Sequence, residues 1–281
     1  MRKYLVFITA LFVGMPLLCA QEAAWPTVPV KRVFMVVLEN TDYKDAIKQP
    51  FMKRLTQEGA SLEKMYGVAR PSQPNYIALV SGSTWGVVTN KSVTLATTHL
   101  GDLLEAKGLQ WKVYADGYPG NCFLGSSKGK YVRKHVPFLS FRNVQTDAIR
   151  CARIVNSKEF AADVENGQLA EFSMYIPDDE NNGHDTGVEF ADRWLEKTFS
   201  PLLKNPKFAS EMLFIVTFDE SRFSDARSIY TSFWGDAVAA GAATTTKYNH
   251  YSMLRTIEDL FALGTLGRKD AEASPITGIW R

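Results

Sequence analysis

Five short stretches of the sequence gather residue types that do chemistry. Glu39 and Asn40 follow the apolar run VFMVVL, and Asp219 and Glu220 follow LFIVTF. Ser72 stands in RPSQPNY, His184 and Asp185 in NNGHDTG, and His250 in YNHYS. Carboxylates, an amide oxygen and imidazoles are ligands for a divalent ion such as Zn, Mn, Fe, Mg or Ca. An ion beside Ser72 would lower the pKa of its hydroxyl and make it a nucleophile, while the amides of a helix starting there would cradle an anionic group. Those parts suit phosphoryl transfer.

Each residue also has a purely structural reading. A carboxylate ending a strand can close a turn, Ser72 can cap a helix, and His184 and His250 can decorate a loop and a helix start. The combination argues for one centre: two strand ends with paired oxygen donors, one hydroxyl ahead of a helix, and two of the chain's 4 histidines in loops. Nucleotide-cofactor chemistry lacks its signatures, since neither a GxxxxGK[ST] phosphate loop nor a GxGxxG fingerprint occurs. Lys134 and His135, in YVRKHVPF, form a second tier: such a pair could bind phosphate oxygens or protonate a leaving group, or be a basic surface patch. Arg70 could bind substrate or merely precede Pro71, and His99 reads as a helix cap.

These residues need a frame that brings strand ends together. VFMVVL (33–38), WKVYA (111–115), FSMYI (172–176) and MLFIVTF (212–218) read as buried strands. Residues 50–59, 73–82, 98–108, 188–204 and 250–263 read as helices, with Gly59, Gly82, Gly108 and Gly264 placed as C-terminal caps. The second of these is expected to begin near Gln73 or Pro74, with Ser72 just ahead of it. Strands alternating with helices predict an α/β fold, a three-layer α/β/α sandwich with a mainly parallel central sheet. Ligands in such folds bind beyond the carboxyl ends of the strands, where Glu39 and Asp219 stand.

The 281 residues are 46% hydrophobic and 22% charged, enough for one large core. Residues 1–20 read as a secretory signal peptide, with Arg2 and Lys3 before the apolar run YLVFITALFVGMPLLCA and Ala20 as the last residue before cleavage. A retained membrane anchor is the alternative. Residues 21–281 would then form a single catalytic domain, exported to the periplasm or secreted, with no stable membrane insertion after cleavage. Without Arg2 and Lys3 the 32 basic residues become 30, equal to the 30 acidic ones. No global charge therefore draws the chain to nucleic acid or anionic membrane. In an exported protein Cys122 and Cys151 most simply form one disulfide, closing a loop of about thirty residues and contributing roughly 3–4 kcal/mol; two buried free thiols are the alternative.

VVLENTDY, ARPSQPNYIALVSG, YVRKHVPFLSF, NNGHDTG, LFIVTFDES and YNHYSMLRTIEDLF, in that order, resemble the phosphoesterase family of acid phosphatases and non-haemolytic phospholipases C, within the alkaline phosphatase superfamily. PSQPNY is similar to the PSxPNY of the acid phosphatase branch. The resemblance implies an alkaline phosphatase-like sandwich with one or two divalent ions at the strand ends. It makes Ser72 the nucleophile that forms a phosphoseryl intermediate, and it sets Glu39, Asn40, Asp219 and Glu220 around the nearest ion. His184 and His250 would complete that site or hold a second ion, with Asp185 or Asp178. The chain departs from the wider pattern at Glu39, where many relatives have Asp, at Asp219-Glu220, where they have Asp-His, and at Asn182, where this branch often has Asp.

The implied activity is that of an exported metal-dependent phosphoesterase on small phosphate esters, foremost a phosphomonoesterase. A phosphodiesterase or phospholipase C acting on lipid headgroups is the alternative; that branch usually carries Thr for Ser72 and a long C-terminal extension. A third reading is a non-catalytic exported metal-binding protein on the same fold. The presence of Ser72, Glu39, Asp219, His184 and His250 together argues against it.

Overall fold

A run of consecutive apolar side chains can be a strand only where both faces of the sheet are covered. The computed structural model describes Met1, residues 25–223 and residues 227–281, so the expected leader lies outside the described residues but for Met1. Eight strands of these residues form one sheet: β1 (Arg32–Leu38), β2 (Ala60–Leu62), β3 (Trp111–Ala115), β4 (Ile154–Asn156), β5 (Phe172–Ile176), β6 (Met212–Phe218), β7 (Thr231–Trp234) and β8 (Ala242–Thr244). Their order is β8-β2-β7-β6-β1-β5-β3-β4, and every pairing is parallel except those of β7. The four apolar runs seen in the sequence are thus the neighbours β6, β1, β5 and β3. Strand β6 is buried at all seven positions and β1 at all but Arg32.

Helices cover the sheet and complete the α/β/α sandwich. The longer ones are α1 (Pro50–Glu58), α2 (Ser72–Ser81), α3 (Leu100–Ala106), α4 (Val188–Phe199) and α5 (His250–Leu260). Helix α1 packs on α4, and α2 on α5. The first pair is tied by Asp192 of α4, whose carboxylate accepts from the Phe51 and Met52 N–H groups at 3.1 and 2.8 Å. Those donors at a helix start have no partner within their own helix. On β1 the Phe34 ring meets Phe160, Phe208 and Phe199 at centroid distances of 5.0, 5.2 and 5.9 Å, the last two edge-on, as aromatic quadrupoles prefer. Helix α2 is buried at all ten positions. A helix enclosed on every side is a rigid platform, and its first residue is Ser72.

The structure differs from the sequence expectations at several boundaries. Helix α2 starts at Ser72 itself, one or two residues early. Helix α4 stops at Phe199, and the remaining residues form a short 3₁₀ turn, Leu202–Lys204, after Pro201. Gly82 ends α2 in the left-handed conformation (φ 67°), as a cap should. Gly59 does not (φ −128°); a Cβ there would sit 2.1 Å from the Phe233 carbonyl, so this glycine is required by the close approach of α1's end to β7. Cys122 and Cys151 are disulfide-bonded, with Cα atoms 5.6 Å apart. Among the described residues no helix is long and apolar enough to cross a membrane.

Candidate active site

Register brings the two acidic pairs together. Leu38 of β1 lies opposite Phe218 of β6, so the residues that follow each emerge side by side at the carboxyl edge of the sheet. The Asp219 N–H donates to the Leu38 carbonyl at 3.0 Å, and the Glu39 N–H to the Asn182 carbonyl at 3.1 Å. Asn40 turns the chain with φ 46°, a conformation Asn tolerates better than most residues. Its N–H donates to Asp219 Oδ1 at 3.2 Å.

Ser72 completes the cluster. Its hydroxyl does not cap α2; it donates to Glu39 Oε2 at 3.0 Å and lies 3.4 Å from Glu220 Oε1. The hydroxyl thus sits at the positive end of a ten-residue helix dipole and between two carboxylates. Arg70 reaches back to the same place: its Nη1 is 3.3 Å from Glu220 Oε2 and donates to the Ser221 carbonyl at 2.8 Å. Arg70 is therefore a clamp on the acidic pair.

Glu39, Asp219 and Glu220 are each at most 3% exposed. Burying one carboxylate is expensive and burying three together more so. Burial pushes the Asp219 carboxyl well above its ordinary range, and the negative charges of Glu39 and Glu220 push it the same way. Glu39 goes in the opposite direction. Burial acts to raise it, but His135, Lys134 and the Tyr76 hydroxyl together hold it down at about 2. Asp219 Oδ2, Asn40 Oδ1 and His250 Nδ1 are buried without a hydrogen-bond partner among the described residues. Two oxygens and one nitrogen in that condition, inside an acidic cluster, fit a divalent cation.

The histidines separate into distinct positions. His250 opens α5, fully buried, and its Nε2 is 2.5 Å from the Asp219 carbonyl. That carbonyl can only accept, so Nε2 carries the proton and Nδ1 keeps its lone pair, the arrangement of a metal-ligating imidazole. Burial lowers its pKa to about 4, which keeps the ring neutral. His184 and Asp185 lie on the surface, Nδ1 to Oδ1 at 2.7 Å. Their third partner is Asp179, with one ligand atom from each of the three within 4.8 Å of the others. The expected partner Asp178 instead accepts from the Asn181 N–H.

His135 lies inside the protein, against the Tyr76 ring. It is fully buried behind Glu39, with Nε2 2.8 Å from Glu39 Oε1 and Nδ1 3.4 Å from Asp179 Oδ1. Both are close contacts without hydrogen-bond alignment. Lys134 is half-buried, and its charge also acts on Glu39. Asn40 further lines a cavity of about 620 Å³, whose walls include Asp42, Lys48, His184, Asp185 and Arg222.

The structure thus unites Glu39, Asn40, Ser72, Asp219, Glu220 and His250, sets His135 and Lys134 at their back, and holds His184 with Asp185 apart. Sequence reading missed Tyr76 and Asp179. Tyr76 carried a usable signal, because four residues along a helix from Ser72 is the same face. Asp179, in PDDENN, had none to set it apart from its acidic neighbours.

Comparison with known proteins gives the family and the fold. The sequence profile of the Phosphoesterase family matches residues 28–264. A probable acid phosphatase of Kluyveromyces lactis is 33% identical over 87% of this chain and 61% of its own, and an acid phosphatase of Aspergillus fumigatus 32% over 88% and 58%. The chain thus spans about three fifths of the length of these fungal relatives. A phosphatidylinositol-3-phosphatase of Mycobacterium tuberculosis is 32% identical, covering 88% of this chain and 82% of the relative. Among solved structures, a protein in the alkaline phosphatase superfamily from Vibrio parahaemolyticus shares the fold with a TM-score of 0.61 at 15% identity, over 94% of this chain and 75% of that one.

Proposed function

The chain belongs to the phosphoesterase family, and from that premise and the site geometry we propose that it hydrolyses phosphate esters, foremost phosphomonoesters, through Ser72. The observation that carries this reading is the Ser72 hydroxyl, which leaves its own helix uncapped to lie 3.0 Å from Glu39 and 3.4 Å from Glu220. Glu39, Asn40, Asp219, Glu220 and His250 would hold a divalent ion there. When bound, such an ion lowers the pKa of a hydroxyl and neutralises charge on the phosphoryl group.

The chain's own residues do the rest. Ser72 Oγ forms a bond to phosphorus as the bond to the alcohol oxygen breaks, and the alcohol leaves with a proton. Water then cleaves the phosphoseryl ester and releases phosphate. The positive end of α2 faces the negative charge that both steps carry. Arg70 keeps Glu220 in place, and Lys134 adds positive charge behind Glu39. His184 and Asp185 would hold a second ion at the surface. We further read residues 21–281 as one catalytic domain of an exported protein; the disulfide supports that, since such bonds persist in oxidising compartments.

The test pairs metal analysis with hydrolysis of p-nitrophenyl phosphate by wild type, Ser72→Ala and Glu39→Ala. Wild type should carry metal and turn over. Ser72→Ala should keep the metal and lose activity by several orders of magnitude, and Glu39→Ala should lose both while remaining folded. Wild-type rates in Ser72→Ala would refute the nucleophile. Turnover confined to bis-p-nitrophenyl phosphate would indicate a diesterase, and tight metal with no turnover of either ester a binding protein.

A further inference from the structure

Glu39 is asked to hold a fixed orientation in an unfavourable place. Its carboxylate is buried beside Asp219 and Glu220, which repel it, and three side-chain torsions are free to swing it away. What prevents that is a closed ring of contacts. The Asn182 carbonyl accepts from the Glu39 N–H at 3.1 Å. The Asn182 side-chain amide donates to Asp179 Oδ1 at 3.2 Å. Asp179 Oδ1 faces His135 Nδ1 at 3.4 Å, and His135 Nε2 returns to Glu39 Oε1 at 2.8 Å. The imidazole is fully buried and stacked on Tyr76, ring centroids 5.0 Å apart, which opposes its turning out of the ring. The free oxygen of Glu39, Oε2, is the one that accepts from Ser72. Asn182 matters by its type: an Asp at this position would set a second carboxylate against Asp179 and open the ring.

We propose that Asp179 and His135 are positioning residues that act as one unit, aiming the Glu39 carboxylate at Ser72 and at the ion that Glu39 would hold. This inference rests on the functional reading above. It also reassigns His135, since both ring nitrogens face carboxylates and neither is left to meet a leaving group. Asp179 has two neighbours of different kinds, because it also stands beside His184 and Asp185. A ligand role there and a positioning role through His135 make opposite predictions for a double variant.

The experiment is a double-mutant cycle of Asp179→Asn and His135→Gln, read as the Mn²⁺ dissociation constant and as kcat and KM for p-nitrophenyl phosphate. Partners behind a metal ligand typically change affinity or activity about 10- to 100-fold when replaced. Each single variant should weaken Mn²⁺ and lower kcat about tenfold or more, with KM moved less than threefold and the melting temperature close to that of wild type. The double variant should be no worse than His135→Gln alone, because the unit is already broken. Multiplying losses would overturn the proposal and make Asp179 an independent ligand. Values within twofold of wild type in both single variants would also overturn it. If the wild type binds Mn²⁺ through Glu39 but hydrolyses no ester, the functional reading fails while the dissociation constants still decide the positioning unit. If it does neither, both fall together.

Discussion

The protein should lose stability as pH falls from about 6.5 towards 4, and His99 supplies a calculable share of that loss. His99 is buried at the start of α3. Its Nδ1 accepts from the Gly101 N–H at 3.0 Å, so the proton resides on Nε2, which donates to Asn143 Oδ1 at 3.2 Å. A second proton on Nδ1 would set donor against donor. Burial lowers its pKa from 6.5 to about 4; Arg150 acts in the same direction, while Asp102, Asn143 and Glu105 oppose the shift. Between those values the unfolded chain binds a proton on this residue and the folded one does not. The contribution is therefore complete above pH 6.5 and is lost as the pH drops to 4. It amounts to about 3 kcal/mol in this interval.

His99→Asn isolates the effect. Asparagine keeps a side-chain oxygen for the cap but loses the ring, which now lies 4.7 and 5.3 Å from Phe141 and Phe138. Wild type should melt well above the variant at pH 7.5, and the gap should close by about 3 kcal/mol at pH 4. For a domain of this size that is roughly 6–12 °C. Thermal melts of both proteins across pH 4–8 measure it. A gap that stays constant across the range would refute the neutral buried imidazole.

Two further outcomes follow from the frame. Replacing Cys122 and Cys151 together by Ser should cost roughly 3–4 kcal/mol in denaturant unfolding, as expected for a bridge across 29 residues. Asp192→Ala should cost roughly 2–3 kcal/mol by leaving the Phe51 and Met52 donors unsatisfied, with ester hydrolysis at Ser72 unchanged because the Asp192 carboxylate bonds to the start of α1 and not to the residues around Ser72.

The sheet was legible where apolar runs were long. VFMVVL, WKVYA, FSMYI and MLFIVTF occupy four adjacent positions of the sheet, and their boundaries agree with the structure to within a residue. The other four strands were not, because three or four residues cannot show a period. Strand β7, TSFW, even turns a hydroxyl inward, where Thr231 meets Thr217 of β6 at 2.7 Å. Strand β7 is also the strand that reverses direction, and no residue in it announces that. For the site, the strand-end pairs were legible as donors. The environment of each donor was not, since Asp179 and His135 come to Glu39 across separations of 140 and 96 residues that only the packed chain closes.

Those environments assign unequal roles to acidic residues that looked alike in the sequence. Glu39 is held by His135 and Glu220 by Arg70, each a basic side chain at 3.3 Å or less. The Asp219 carboxylate forms no ion pair among the described residues; one of its oxygens accepts from the Asn40 N–H and the other has no hydrogen-bond partner. Burial and its two acidic neighbours also push this carboxyl away from ionisation. A charge deficit localised on one side chain locates where positive charge is needed. On the proposed reading the ion therefore sits closest in its effect to Asp219, and removing that ion should be felt first as protonation of Asp219, with Glu39 still ionised against His135.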